Sequence, residues 1–268
     1  MADHWLFTRD AAWVQRGGYQ LLKAVAALWL CLLEKDPATG LFVDKDDCAT
    51  ESLDGGRTCC CGAPGKQDPS AMIALLARVL HVLLDINAAL GIEDTAEPRW
   101  RDVLVHLPRL HLAPSDTLAG NRSVILPTAR GQLDEKAWVL RASVNVPYLY
   151  PMFPGRLDQL SGVHKDGRPA SAAELRLAAA ATLDAVHQWS NHSGRTDVCA
   201  FATVYPAAAR LGYNATTLLA HFDDKLRTEQ LRNGLVWIKG GALESVGVTV
   251  AVNEMLLHSS GRLLRFFP

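Results

Sequence analysis

The chain has 268 residues, of which 49% are hydrophobic and 21% charged, with a formal net charge of −1. That balance suits a soluble globular protein with a substantial buried core and argues against disorder as the default state. Basic and acidic residues are mixed along the chain, so no basic face points to nucleic acid as a partner.

The first residues, Met1, Ala2, Asp3, His4 and Trp5, lack the basic segment, apolar stretch and small-residue cleavage site of a secretory signal, and the sequence assigns no compartment. Thr8 is placed to cap a short helix over residues 10–16, and Gly17 and Gly18 allow a bend before an apolar helix over residues 19–33. The apolar run 21–33 is cut by Lys23 and bounded by Glu34, Lys35 and Asp36. It falls short of the roughly 20 apolar residues of a membrane span, so it reads as a buried helix and no membrane partner is expected. Asp36, Pro37, Ala38, Thr39 and Gly40 form a turn signal, because proline fits an early turn position and glycine tolerates positive φ. Leu41, Phe42 and Val43 follow as a strand fragment, and a polar loop rich in Gly and Cys runs from Asp44 to Gln67.

Six cysteines are too few for a disulfide scaffold at this length. Cys59, Cys60 and Cys61 are contiguous and lack the two-residue separation of a zinc knuckle, which leaves free thiols or a disulfide to Cys48 as the simpler readings. No metal and no cofactor is expected.

Asp68 and Pro69 open the clearest helix, with apolar residues at Ile73, Leu76, Val79, Leu80, Leu83 and Leu84 and an end near Gly91. Residues 98–107 read as a shorter partner helix with Trp100, Val103, Leu104 and Leu107 on one face. Between about 109 and 154 the pattern changes to an irregular insertion, with strands expected at 123–126 and 138–141. Helices resume at 171–189, 197–211, 216–232 and 246–258, joined by short links such as Gly212, Tyr213 and Asn214. About eight helices in successive pairs with few strands predict an all-α, helix-on-helix architecture. Strands are expected only between Arg109 and Arg141 and at the C-terminal end. No internal repeat at a fixed period is visible, which disfavours a helical-repeat protein.

Several stretches, taken in order, resemble one known family. Phe7, Thr8, Arg9 and Asp10, then Gly18 to Lys23, then Leu33 to Gly40 resemble a hairpin leading into an acidic active-site loop. Asp68 to Met72, Leu90 to Asp94, and Trp100, Arg101 and Asp102 resemble the next hairpin. Gly240, Gly241, Ala242, Leu243 and Glu244, followed by Asn253 to Ser259 and Gly261 to Pro268, resemble an acidic residue, a helix with a Glu-Met-Leu-Leu signature and a strand ending in proline. The family is glycoside hydrolase family 95, whose best-known members are α-L-fucosidases with relatives acting on α-L-galactosides.

The resemblance implies a six-hairpin (α/α)6 toroid, here partial, as a single domain over 1–268 that corresponds to the later portion of a longer catalytic domain. It also implies inverting hydrolysis of a glycosidic bond in an oligosaccharide or glycoconjugate, with two carboxyl groups on opposite sides of the sugar ring. Glu51 then acts as general acid and Glu244 as general base. Where the family has Ser-Pro-Glu-Asn, the corresponding stretch here reads Ala49, Thr50, Glu51, Ser52, Leu53, Asp54 and Gly55, with Glu51 the nearest match and Asp54 its alternative, and the family's Asp-Gly-Asn-Phe-Gly segment corresponds to Leu243, Glu244, Ser245, Val246 and Gly247. The family's paired water-positioning asparagines have no counterpart in this sequence, so the isolated chain is expected to have little activity.

On the residues alone, Glu51 is equally a solvated loop acid among Asp44, Asp46, Asp47 and Asp54, and Glu244 a first-turn helix residue favoured by the helix dipole. Trp189, Asn191, His192 and Asp197 combine an aromatic face with hydrogen-bonding groups that suit a sugar, although Asp197 is more simply a helix cap. Trp237 and Lys239 are similar substrate-binding candidates just before Glu244, while Glu254 reads as a structural ion-pair residue and His258 as a satisfied interior or helix-end group. The competing reading is a catalytically incomplete carbohydrate-binding or interaction domain on the same scaffold, and an incomplete ring predicts self-association through exposed helix faces.

Overall fold

The computed structural model describes residues 1–44, 70–115, 118–128, 147–186, 189, 200–234, 243–260 and 263–266. Over these residues the protein is mostly helical, with a few short strands.

Helix α1 spans Ala2–Thr8 and ends at Arg9, whose φ of 53° lies in the left-handed region. Its existence corrects the expected helix start. The Thr8 hydroxyl donates to the His4 carbonyl at 2.6 Å, while the Asp10 carboxylate caps α2, Ala11–Trp13, by accepting from the Trp13 N–H at 2.9 Å. Thr8 closes one helix and Asp10 opens the next. A wide turn over Val14–Gly18 leads into α3, Tyr19–Leu32, and the expected bend sits at Gly17 with φ 112°. At Gly18 a Cβ atom would come within 2.4 Å of the Trp13 ring, so the residue lets the indole lie against the backbone.

Leu33 leaves the helix and starts β1, Leu33–Lys35, which pairs antiparallel with β2, Phe42–Asp44. The Asp36 carboxylate closes the tip by accepting from the Ala38 N–H at 3.0 Å and the Thr39 hydroxyl at 2.8 Å, and Gly40 takes the positive φ that the turn signal required. Helix α4, Ser70–Leu90, is the centre of the core: Leu76, Leu80, Leu83 and Ile86 are each 0% exposed. Length and composition alone would let α4 cross a membrane, a property the sequence reading assigned to no segment. Here its apolar faces are covered by α1, α3 and α5, the last spanning Glu97–Val105 with Trp100 and Val103 buried.

Strands β3, Leu110–Pro114; β4, Ser123–Ile125; β5, Gly162–His164; and β6, Pro169–Ala170, form one sheet in the order β4-β3-β5-β6. Only β3 and β5 run parallel. Strand β2 falls on the fragment expected at 41–43, whereas the strands at 33–35 and 162–170 lie outside the regions where strands were expected. Each has two or three residues, too few for an alternation pattern to show in sequence, and each is held by a distant partner.

Helix α6, Ala172–Ala185, packs on β4, and its Thr182 hydroxyl accepts from the Ile125 N–H at 2.8 Å while donating to the Ala178 carbonyl at 2.7 Å. Its start is a reciprocal cap: Ser171 accepts from the Glu174 N–H, and the Glu174 carboxylate accepts from the Ser171 N–H and hydroxyl. Replacing Ser171 by Ala is expected to lower stability by about 1 kcal/mol. Hydrogen bonds from Arg168, first, and from Ser171 hold the Glu174 carboxyl down at about 2, against an ordinary value of 4.5. A depressed carboxyl pKa stabilises the fold above the unfolded value, so this contribution is full above about pH 4.5 and is lost as the pH falls toward 2. Acid unfolding of Ser171→Ala should therefore depend less steeply on pH in that window. An unchanged acid limb would show that the cap does not set it.

Helix α7, Tyr205–Leu211, follows a wide turn over Ala200–Val204 and ends at Gly212, whose φ of 74° makes the left-handed cap. Asn214 caps α8, Ala215–Glu229, by accepting from the Thr217 N–H at 2.9 Å. Helix α9, Leu243–Leu256, packs on α7 and on the Ala200–Val204 turn, an approach permitted by the small buried residues Ala207, Ala208, Gly247 and Ala251. It starts three residues before the expected position, and His258 belongs not to its end but to β7, Leu257–Ser260, paired with β8, Leu263–Phe266. Nine α-helices are present among the described residues, and one continuous hydrophobic core runs from Trp5 to Ala251.

Candidate functional site

Glu244 occupies the second position of α9, within its first turn. The first N–H groups of a helix carry partial positive charge. The far end of the same helix is fixed by Glu254, which receives a two-pronged bond from Arg210 of α7 at 2.8 and 2.9 Å. Arg210 also donates to the Gly155 carbonyl at 3.2 Å and lies over the Phe153 ring at 4.5 Å. Glu254 is thus the structural ion-pair residue that its position inside the helix suggested.

Trp189 is 5% exposed. Its ring stacks on His221 at 4.7 Å and meets Tyr213 and Tyr205 at 5.4 and 5.5 Å, while the Tyr205 hydroxyl lies 2.9 Å from the His221 carbonyl, its nearer acceptor, and 3.3 Å from the Trp189 carbonyl. The indole is enclosed by aromatic neighbours and offers no open face. Glu51, Asp54, Asn191, His192, Asp197, Trp237 and Lys239 lie outside the described residues, as do Cys48, Cys59, Cys60, Cys61 and the strand expected at 138–141. Among the described residues, no group of three His, Cys, Asp or Glu side chains is arranged to hold a metal ion.

The residues that carry the resemblance in the first hairpins have a common structural task, which is to tie α1, α3 and α5 to α4. Arg9 and the Trp5 indole both donate to Asp85 of α4, the latter at 2.7 Å. The Tyr19 hydroxyl contacts Asn87 at 2.7 Å and Asp94 at 2.8 Å, and Lys23 bonds Asp94 at 2.5 Å. Asn87 in turn donates to Glu97 at 2.8 Å, and Arg99 donates to the Leu30 carbonyl at 2.9 Å. Burial works against the charge on Asp94, but the bonds from Lys23, the Ala96 N–H and Tyr19 outweigh it and hold its carboxyl below the usual range. Burial first, and then the adjacent carboxylate, push the Tyr19 phenol up. Asn87 and Asp94 passed unremarked as partners in sequence, because nothing local indicates that Gly18 to Lys23 and Leu90 to Asp94 meet.

His258 is 8% exposed, and among the described residues neither of its ring nitrogens has a hydrogen-bond partner. It is interior, as expected, but unsatisfied, which corrects the sequence reading. Burial first, and the nearby positive charge of Arg210 next, lower its pKa and keep the imidazole neutral.

A comparison with curated proteins finds no match. Residues 1–119, which span α1 through β3 and include the bonds from Arg9 to Asp85 and from Lys23 to Asp94, match the glycosyl hydrolase family 95 catalytic domain.

Proposed function

We propose that the protein acts on carbohydrate as an inverting glycoside hydrolase of the α-L-fucosidase or α-L-galactosidase kind, with Glu51 as general acid and Glu244 as general base. The observation that carries the reading is the family 95 match over residues 1–119, a segment whose sequence includes Glu51 and the hairpin that follows it. Inversion needs an ionised base on one face of the sugar and a protonated acid on the other, about 6.5–9.5 Å apart so that a water fits between. The first turn of α9 suits the base, since the helix dipole favours the charged form. Asn191, His192, Asp197, Trp237 and Lys239 are proposed around the sugar, and Trp189 beneath it as a support, given its enclosure by Tyr205, Tyr213 and His221.

The scaffold proposed is a partial (α/α)6 toroid formed as one domain, a reading supported by the paired helices and the continuous core from Trp5 to Ala251. Hydrolysis of an aryl α-L-fucoside or aryl α-L-galactoside followed by proton NMR tests it: the first sugar released should be the β-anomer. Release of the α-anomer would refute inversion. Saturable binding of the free sugar with no turnover of either glycoside, even by a protein that carries the whole catalytic domain, would favour the carbohydrate-binding alternative.

Self-association is proposed through the outer face of α3, where Leu21, Leu28 and Leu32 are 44%, 62% and 49% exposed and fall on one side of the helix. A sedimentation coefficient that stays constant as protein concentration rises would rule it out.

A further inference from the structure

A cavity of about 390 Å³ lies at the C-terminal end of α9, where the segment 152–160, the start of α6, the end of α7 and the β7–β8 hairpin meet. It stands apart from the proposed catalytic end, because α9 has 14 residues and each rises about 1.5 Å, putting roughly 20 Å between Glu244 and the hairpin. Its charged lining consists of Arg156, Asp158, Arg176, Arg210, His258 and Arg265. Met152, Leu157, Leu175 and Leu211 supply an apolar wall.

The charges do not balance. Arg156 is neutralised by a two-pronged bond to Asp158 at 2.8 and 2.5 Å, and Arg210 by Glu254. Arg176 donates to the Leu211 carbonyl at 2.8 Å but has no carboxylate partner among the described residues, and Arg265 has none either. Among the described residues, two positive charges therefore face the cavity without a carboxylate partner. Arg78, which reaches out to Asp3, lies close to the same group of arginines: burial first, and then the like charges of Arg210 and Arg156, bring its pKa down to about 10.

His258 is the second, independent sign of a ligand. It sits directly across the β7–β8 ladder from Arg265, so the two side chains project from the same face of the hairpin. Burying an imidazole with both nitrogens unpartnered costs free energy that a hydrogen-bonding ligand would recover. An arginine-rich cavity with an unsatisfied donor and a leucine wall matches a molecule with a negatively charged oxygen group at one end and a less polar body at the other.

We propose that this cavity binds a small organic molecule carrying one oxyanion group, which accepts hydrogen bonds from His258 and Arg265 while its body lies against Leu175 and Leu211. The groups acting on His258 are Arg210, Arg265 and Arg156, which oppose its protonation, and Glu254, which favours it, with Asp158 close by on the cavity wall. A bound anion adds negative charge beside the ring, so binding takes up a proton. Affinity consequently rises as the pH falls toward the low pKa of His258 in the empty cavity.

The test uses the 268-residue chain with phenyl sulfate and with benzoate, both of which keep a constant charge between about pH 5.5 and 8. Titration calorimetry should show saturable binding that strengthens on lowering the pH by up to about tenfold per unit, the limit for one linked proton. His258→Gln should flatten that pH dependence, and Arg265→Ala should weaken binding about tenfold or more at every pH. The imidazole resonances of His258 in the unsubstituted protein supply a readout that does not depend on a variant folding, and they should shift on titration with either probe. Preference for phenyl sulfate or for benzoate identifies the acid group as ester or carboxylate. Absence of saturation, or His258 shifts no larger than sodium chloride gives at equal ionic strength, would overturn the proposal, and so would binding that Arg265→Ala leaves unchanged.

Discussion

In the intact enzyme, replacing Glu244 by Gln is expected to lower turnover of an aryl α-L-fucoside by about 10²–10⁴-fold, the usual contribution of a positioned general base, with little change in melting temperature. Gln keeps nearly the volume of Glu and remains in the first turn of α9, but it cannot take the proton from the attacking water. Replacing Glu51 by Gln should produce a different defect. A nitrophenolate leaving group scarcely needs protonation, so the acid variant should retain much of its rate on the nitrophenyl glycoside and lose it on a natural disaccharide, whereas the base variant should fail on both. If Glu51→Gln is unaffected on either substrate while Asp54→Asn loses the disaccharide, the acid is Asp54. A Glu244→Gln protein that turns over at the unsubstituted rate would remove Glu244 from the mechanism.

Replacing Glu254 by Gln is expected to destabilise the protein by about 3–5 kcal/mol, the cost of leaving one member of a buried ion pair without its partner. The side chains of Arg210 and Glu254 are 9% and 13% exposed, and the pair joins α7 to α9 while Arg210 also holds the 153–155 segment. The loss should fall on unfolding measured by denaturant, with the slope against denaturant unchanged. Replacing both residues with Met should cost less than Glu254→Gln alone, because the unpaired charge disappears along with its partner. If the double variant is the less stable of the two, the two-pronged geometry itself contributes more than the desolvation of the two charges costs.

The helices were legible where apolar spacing was strong and capping residues were local. Ile73, Leu76, Leu80 and Leu83 announce α4, and Ser171 with Glu174 marks the start of α6 within a residue. Leu33 was read as a continuation of α3 because Leu32 and Leu33 are both apolar, and only pairing with Asp44, from beyond the turn, turns it into a strand. The parallel pairing of Leu110 with Gly162 crosses about fifty residues and leaves no local trace. Helix α9 is apolar nearly all round, with Val246, Val248, Val250, Ala251 and Val252 among its residues, so its starting point could not be read from a face. The position of Glu244 near a helix start was nonetheless visible from the preceding Gly240 and Gly241. Its partner Glu51 came from the resemblance alone, since one acid among several in a polar loop has no distinguishing spacing. The arginine cavity was invisible because Arg156, Arg176, Arg210, His258 and Arg265 are scattered over five elements, and only the packing of α6, α7 and the last hairpin collects them.

The family match stops at residue 119, in the turn between β3 and β4, and that position is not a boundary of the fold. Strand β3 lies inside the match, yet both of its hydrogen-bonding edges are occupied by strands outside it, β4 on one side and β5 on the other. A chain ended there would present two bare edges and uncover Leu110 and Leu112, which are 0% and 1% exposed in the intact protein. The segment that matches the family is therefore not a unit of folding, and part of what keeps β3 paired and buried is supplied from sequence that the match does not cover.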